Sequence, residues 1–120
     1  MTYLAAVVVG LATVAVVATP AEAACYEYAN APFWDGTVLG NYGGRQGCSA
    51  GTPFDVHLRQ DISFWPDKEW GTAWGVGNQD LFVWTLCAYD GNYRNFFIEL
   101  RVQGRKIRSY TASYPCQPYY

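Results

Sequence analysis

The amino-acid sequence predicts an all-β fold, a small antiparallel β-sandwich or barrel stabilised by two disulfides. Turn dipeptides are the first observation. Asp90-Gly91 and Gln103-Gly104 each separate two β-rich segments, and glycine supplies the positive φ that tight hairpins need. The second observation is a series of short β-rich segments with turn signals about every ten residues, as in sandwiches and barrels. The third is an even number of cysteines, four in a short chain, which is typical of a disulfide-tied domain.

The first residues predict a secretory signal peptide that is not part of this domain. Residues 4–19 form an apolar run, and Pro20-Ala-Glu-Ala23 follows with the small-x-small pattern of a cleavage site. We expect residues 1–23 to be the leader and residues 24–120 to be a single secreted domain. The apolar run has about 16 residues and a membrane-spanning helix needs ~20, so we expect no stable membrane anchor.

The cysteines are Cys25, Cys48, Cys87 and Cys116. Three pairings are possible, and we favour Cys25–Cys48 with Cys87–Cys116 because each bridge would tie a segment to its neighbour in sequence. Each would contribute roughly 3–4 kcal/mol by constraining the unfolded chain. A zinc site is not expected, because no two cysteines are close in sequence and the chain has one histidine.

The first third of the domain predicts short strands and a loop. Residues 25–29 are expected to form a strand that begins at the first cysteine, and Pro32 indicates a strand end or an edge. Residues 37–39 predict a second short strand. Residues 40–51 contain five glycines, which favours a flexible loop tied down by Cys48. A phosphate-binding loop is excluded, because the segment lacks the Gly-Lys-Ser/Thr ending and no helix follows it.

Two contrasting segments come next. Residues 54–59 alternate in polarity, which predicts a half-buried strand. Its apolar side chains are Phe54, Val56 and Leu58, and its polar ones are Asp55, His57 and Arg59. Residues 64–75 begin with a turn at Pro66-Asp67 and contain three tryptophans. Glycines within this second segment disfavour a helix, so we expect a loop or an irregular edge strand.

Residues 80–109 predict a meander of three antiparallel strands at the centre of the fold. Both faces of residues 80–89 are largely apolar, which favours a central strand covered on each side. In residues 96–102 one face is apolar and the other carries Glu99 and Arg101, which we expect to be solvated. The meander is therefore interpreted as scaffold.

Charge and chemistry exclude some classes of function. Removing the leader takes one acid, Glu22, and leaves a net charge of −1. Nucleic acid is therefore not an expected partner, since it is bound largely through clustered positive charge. The only histidine, His57, could act with Glu99 and Arg101 as the acid, base and cation of a small secreted hydrolase or ribonuclease. Polar residues on strand faces are usually just solvated, so an enzyme is the third alternative. No catalytic residue, metal or cofactor is assigned.

Aromatic residues favour a binding function. The chain has 5 Trp, 10 Tyr and 6 Phe, more rings than so small a core needs. Tryptophans beside turns are candidate anchors, because Trp and Tyr dominate interface hot spots; these are Trp34, Trp65, Trp70 and Trp74. The preferred hypothesis is a secreted inhibitor or effector that engages another extracellular protein through aromatic loops. The alternative is a carbohydrate-binding module, in which rings from several strands form a flat row that stacks on a glycan.

The order of the cysteines in an exported all-β chain resembles that of the small α-amylase inhibitors of the tendamistat type. That family carries a Trp-Arg-Tyr hairpin between its first two cysteines, where this sequence has Phe33-Trp34-Asp35. The resemblance covers cysteine order alone, so it assigns no function and no site residue to this chain.

Overall fold

Residues 25–119, which the computed structural model describes, contain eight β-strands and no helix. The strands are β1 (Tyr26–Ala29), β2 (Phe33–Trp34), β3 (Val38–Gln46), β4 (Pro53–Asp61), β5 (Lys68–Val76), β6 (Asp80–Val102), β7 (Arg105–Arg108) and β8 (Ala112–Tyr119). All of their pairings are antiparallel. The predicted all-β antiparallel fold is confirmed. The predicted leader, residues 1–23, lies outside the described residues.

The longest strand, β6, belongs to two layers of the fold. Its first half lies against β3, from Asp80 opposite Gly44 to Leu86 opposite Val38, and its second half lies against β4. β8 follows it along parts of both halves, and β7 pairs with its last residues. One layer contains β1, β2, β3 and the first half of β6. The other contains β5, β4, the second half of β6 and β7.

A bulge at residues 90–93 separates the two halves of β6, because the register with β8 shifts there. The predicted hairpin turn at Asp90-Gly91 is therefore wrong. Gly91 does have a positive φ of 81°, but bulges use left-handed glycine as readily as turns do. Arg94 stabilises the bulge, since its guanidinium donates to the Asp90 carboxylate and to the Cys116 carbonyl oxygen.

The second predicted turn is present. Gln103 and Gly104 link β6 to β7 as a two-residue hairpin in which Val102 lies opposite Arg105. Both turn residues have positive φ, 49° and 77°, which is the conformation of a type I′ turn. Its twist matches that of the flanking strands, so the hairpin is short and regular.

The core lies between the two layers. Its buried side chains are Leu39, Phe54, Val56, Leu58, Val83, Cys87, Phe96, Ile98, Leu100, Val102 and Cys116. The predicted alternation in β4 is confirmed, because its three apolar residues face this core. Both predicted disulfides are present, Cys25–Cys48 beside β1 and Cys87–Cys116 inside the core. No helix within residues 25–119 is long and apolar enough to cross a membrane.

Two segments predicted as loops are strands. The glycine-rich residues 40–46 form most of β3, because their glycines allow the neighbouring chain to approach closely. A Cβ on Gly44, for example, would lie 2.8 Å from an oxygen of Asp80, closer than real Cβ contacts allow. Residues 68–76 form β5, which agrees with the alternative of an irregular edge strand. A register shift at Leu58/Arg59 marks the irregularity in its pairing with β4.

Candidate functional site

Each layer presents one outward face to solvent, and the two faces differ in chemistry. Side chains alternate along a strand, so residues between core positions point outward. We name the outward side of β1, β2, β3, the first half of β6 and the end of β8 the aromatic face. Its rings are Tyr26, Tyr28, Phe33, Tyr42, Phe82, Trp84 and Tyr119. We name the outward side of the other layer the charged face. Its members are Asp55, His57, Arg59, Glu69, Thr72, Trp74, Glu99, Arg101, Lys106 and Arg108.

The rings of the aromatic face are neighbours through strand register. Phe33 lies opposite Gly40, and Gly40 lies opposite Trp84 on its other side. Two pairing positions away, on the same face, Tyr42 lies opposite Phe82, and the two rings meet edge to face with centroids 5.1 Å apart. Trp84 is 48% exposed and Phe82 is 44% exposed. These rings therefore form a continuous apolar surface in contact with solvent.

A groove of about 320 Å³ crosses this surface between Phe33 and Phe82. Gly40 lines it, so no side chain fills the space between the two rings. Asp35 and Asn41 add polar atoms to its wall. The Asp35 carboxylate accepts the backbone N–H groups of Val38 and Thr37 at 2.8 Å, and these hydrogen bonds hold its pKa below the usual range. The groove thus combines aromatic walls with an ionised hydrogen-bond acceptor.

The other end of the aromatic face is held by a polar contact. Tyr26 and Tyr28 stack with ring centroids 5.6 Å apart, and the Tyr28 hydroxyl donates to the Asp80 carboxylate. Burial of the hydroxyl, together with that hydrogen bond, raises the pKa of Tyr28 to about 12. Tyr28 therefore remains a neutral donor at physiological pH and fixes the orientation of the stacked pair.

The prediction that residues 80–89 form a strand covered on both sides is wrong, and the exposed rings of Phe82 and Trp84 were not predicted as site residues. Only one side of this strand is covered, by Leu81, Val83 and Cys87 packing into the core. The other side is open, because no further layer of residues 25–119 packs over it. The absence of a predicted helix was a usable signal, since a chain of two sheet layers has nothing with which to cover an outer face.

The four predicted anchor tryptophans do not share one surface. Trp34 is partly buried and donates its indole N–H to the Cys87 carbonyl oxygen at 2.9 Å. Trp70 is partly buried as well, and it donates to Gln60 at 3.0 Å beneath the Lys68 ammonium. Trp65 and Trp74 are exposed, at 73% and 72%. Trp65 lies on the β4–β5 loop, and Trp74 lies on the charged face.

His57 occupies the centre of the charged face. Its Nδ1 lies 2.6 Å from a Glu69 oxygen and its Nε2 lies 2.5 Å from an Asp55 oxygen. Each ring nitrogen therefore lies within hydrogen-bond distance of a carboxylate oxygen. His57 is only 6% exposed, because the longer side chains around it cover the ring. The arrangement is a buried histidine held between two acids.

The predicted hydrolytic residues are adjacent in space. Glu99 lies directly opposite His57 across β4 and β6, and its carboxylate accepts from Arg101 Nε at 2.7 Å. Glu99 is 8% exposed, and both nitrogens of His57 are engaged by carboxylates. Of these three residues, Arg101 lines a cavity, while His57 and Glu99 do not and are buried. Their geometry is that of an ion-pair network that crosses the strands.

One group of residues has the proximity of a metal site but not the chemistry. Cys25, Glu27 and Cys48 offer ligand atoms within 4.8 Å of one another. The two sulfurs are joined in a disulfide, and the thiolate is the form that ligates metals. Glu27 is already engaged by Arg45 and Arg105. These three residues are therefore a poor set of metal ligands.

Comparisons with protein-family models, with curated proteins and with solved structures find no match to this chain.

Proposed function

We propose that the protein is a secreted carbohydrate-binding protein that takes a neutral glycan on its aromatic face. One observation carries the proposal, the continuous exposed surface formed by Phe33, Tyr42, Phe82 and Trp84 around a groove lined by Gly40. Contiguous exposed apolar patches on a soluble protein mark interaction sites. Because this one is built on paired strands, its rings are held in fixed positions.

The chemistry of the groove favours a sugar as its occupant. A pyranose ring has an apolar C–H face and an edge of hydroxyl groups. Phe33 and Phe82 offer apolar walls to the first, and Asp35 offers an acceptor to the second. Ligand sites generally combine aromatic linings with a few well-placed polar groups. Among residues 25–119, no basic residue lines the groove, which favours a neutral sugar over an acidic one at this position.

The setting is consistent with an extracellular ligand. Two disulfides indicate an oxidising compartment, and the sequence predicts a cleaved leader over residues 1–23. A secreted protein meets polysaccharides of cell walls and secreted matrices. This context supports the proposal.

Co-sedimentation with insoluble polysaccharides and affinity electrophoresis in soluble ones would test the proposal. The wild-type chain should bind at least one member of a panel of neutral β- and α-glucans, mannans, xylans and chitin. Trp84→Ala and Phe82→Ala should each weaken that binding by at least tenfold. Tyr110→Ala is the matched control, because Tyr110 is an exposed ring outside the aromatic face. Absence of wild-type binding across the panel would refute the proposal.

A second candidate is recognition of another protein, as an inhibitor or effector, through the β4–β5 loop. Phe64 is fully exposed and has a positive φ of 65°, which is rare for a bulky residue. Trp65 follows it and is also exposed. Two adjacent exposed rings at a loop tip suit insertion into a partner's cleft. Affinity capture with the wild-type chain and with the Phe64→Ser/Trp65→Ser variant tests this. A partner protein captured equally by the wild type and the variant would argue against recognition through the β4–β5 loop.

A further inference from the structure

A second cavity lies on the charged face, opposite the aromatic face. It has a volume of about 580 Å³, within the range of about 300–1,000 Å³ that is typical of ligand sites. Trp74 forms one wall, and the β6–β7 turn forms another. Asp55, Arg101 and Lys106 also line it. None of these residues belongs to the groove of the proposed neutral-glycan site.

Strand register explains why these groups converge. Trp74 lies opposite Asp55, Asp55 lies opposite Arg101, and Arg101 lies opposite Lys106. Four adjacent strands therefore contribute one row of an aromatic ring, an acid and two cations. The type I′ turn at Gln103-Gly104 lines the cavity next to Lys106, at the basic end of this row.

The charges of the cavity leave one cation without a partner. Arg101 is paired with Glu99 and Arg105 with Glu27, while Asp55 is paired with His57. Within residues 25–119, Lys106 makes no ion pair. Lys106 is therefore the lining cation whose ammonium group is left for an anionic group of a ligand. One carboxylate on the bound sugar unit matches it, whereas a second negative charge on the same unit would lie towards Asp55.

The remaining groups restrict the ligand further. The indole of Trp74 is 72% exposed and presents a flat apolar surface to a ring. Asp55, as a carboxylate, needs hydrogen-bond donors on the ligand, and hydroxyl groups supply them. A sugar ring with hydroxyl groups and a single carboxylate could stack on Trp74, donate hydrogen bonds to Asp55 and pair with Lys106. We propose that this cavity binds an acidic sugar, specifically the hexuronate unit of an acidic oligosaccharide, with its carboxylate on Lys106 and its ring on Trp74.

Isothermal titration calorimetry with digalacturonate tests the site on the full domain. The wild-type chain should bind digalacturonate, and the dimethyl ester of the same sugar should bind at least tenfold more weakly. Lys106→Gln and Trp74→Ala should each cost at least tenfold in affinity. The control is Lys68→Gln, since Lys68 is the only other lysine of the chain and its ammonium lies over Trp70. This control should bind like the wild type.

Three outcomes of the sugar titrations would overturn the proposal. They are equal binding of acid and ester, an unchanged affinity in Lys106→Gln, and no binding of digalacturonate by the folded wild type at millimolar concentration. Inorganic phosphate and sulfate are titrated separately, and either one binding as tightly as digalacturonate would show a simple anion site instead. Trp84→Ala should leave digalacturonate binding unchanged. The Trp84→Ala variant therefore distinguishes a failure of the neutral-glycan proposal from a failure of the acidic-sugar proposal.

Discussion

Gly40 and Trp84 lie opposite each other on β3 and β6, so closely that a Cβ on Gly40 would be 2.8 Å from the Cβ of Trp84. The carbonyl oxygen of Val83 would be closer still. The glycine thus serves two purposes at once. It lets β3 pair tightly with β6, and it leaves open the groove between the rings of Phe33 and Phe82.

Gly40→Ala should lower the free energy of unfolding by about 1–3 kcal/mol, because the new methyl group meets backbone that cannot move aside cheaply. Urea unfolding followed by tryptophan fluorescence measures the change. Gly51→Ala is the matched control, since a Cβ there meets nothing within 4 Å. An equal effect of the two substitutions would contradict this account of Gly40.

The two disulfides should differ in their contribution to stability. They close loops of similar length, with sequence separations of 23 and 29, so the unfolded-chain effect is roughly 3–4 kcal/mol for each. Cys87 and Cys116 are also completely buried in the core, and their replacement by alanine removes packing as well. The Cys87→Ala/Cys116→Ala variant should therefore have a lower thermal midpoint than Cys25→Ala/Cys48→Ala. The reverse order would show that packing of the core sulfurs is unimportant.

His57 should be a stability determinant. His57→Ala removes a ring that is 6% exposed and that hydrogen-bonds with Asp55 and Glu69. Loss of its packing and of these hydrogen bonds should cost about 1–3 kcal/mol. Urea unfolding of this variant should show that loss. If the wild type hydrolyses RNA and His57→Ala loses that activity without losing stability, the result would point to a catalytic role instead.

Acid should destabilise the fold through Glu27 and Glu69. Arg105, aided by Arg45, holds the pKa of Glu27 below its ordinary value of 4.5. Burial opposes ionisation of Glu69, but hydrogen bonds from Thr72 and His57 outweigh it, so its pKa is lowered too. A depressed folded-state pKa gives stability that is complete above the ordinary pKa and lost as the pH falls through the folded value.

The free energy of unfolding should therefore be flat just above pH 5 and fall progressively below about pH 4.5, as these two groups begin to bind protons in the unfolded state. Urea unfolding between pH 2.5 and 7 measures the profile. Glu27→Gln should be less stable at neutral pH and show a shallower decline in acid. A profile with the same slope in wild type and variant would exclude Glu27 as a source.

The sequence pattern predicted β4, the disulfides and the Gln103-Gly104 turn correctly. Alternation at residues 54–59 predicted β4 and both of its faces, and consecutive pairing of the cysteines predicted the disulfides. The Gln103-Gly104 turn followed from the φ requirement of a two-residue hairpin. For the strand and the turn, the information lies within a few residues of the feature, whereas for the disulfides it lies in the order of the cysteines along the chain.

The candidate site was harder to predict, because the aromatic face exists only where no other layer of the fold covers the strand. Phe82 and Trp84 have the sequence of buried residues, and only the whole topology leaves them exposed. The glycines of β3 were also ambiguous in sequence. Their composition predicts a flexible loop, whereas in the structure they allow two strands to approach closely. Trp74 was selected as an exposed ring, but its neighbours in the cavity come from three other strands.

β6 makes the domain indivisible. The same backbone presents Trp84 on one face and Arg101 on the other, and it pairs with β3 and β4, which precede it in sequence, and with β8, which follows it. Neither layer retains its central strand if the other is deleted, so a fragment carrying just one face has no means of folding. Amide hydrogens of both layers should exchange in a single cooperative opening. Evolution or engineering can alter the two surfaces separately, but the scaffold beneath them forms or fails as one unit.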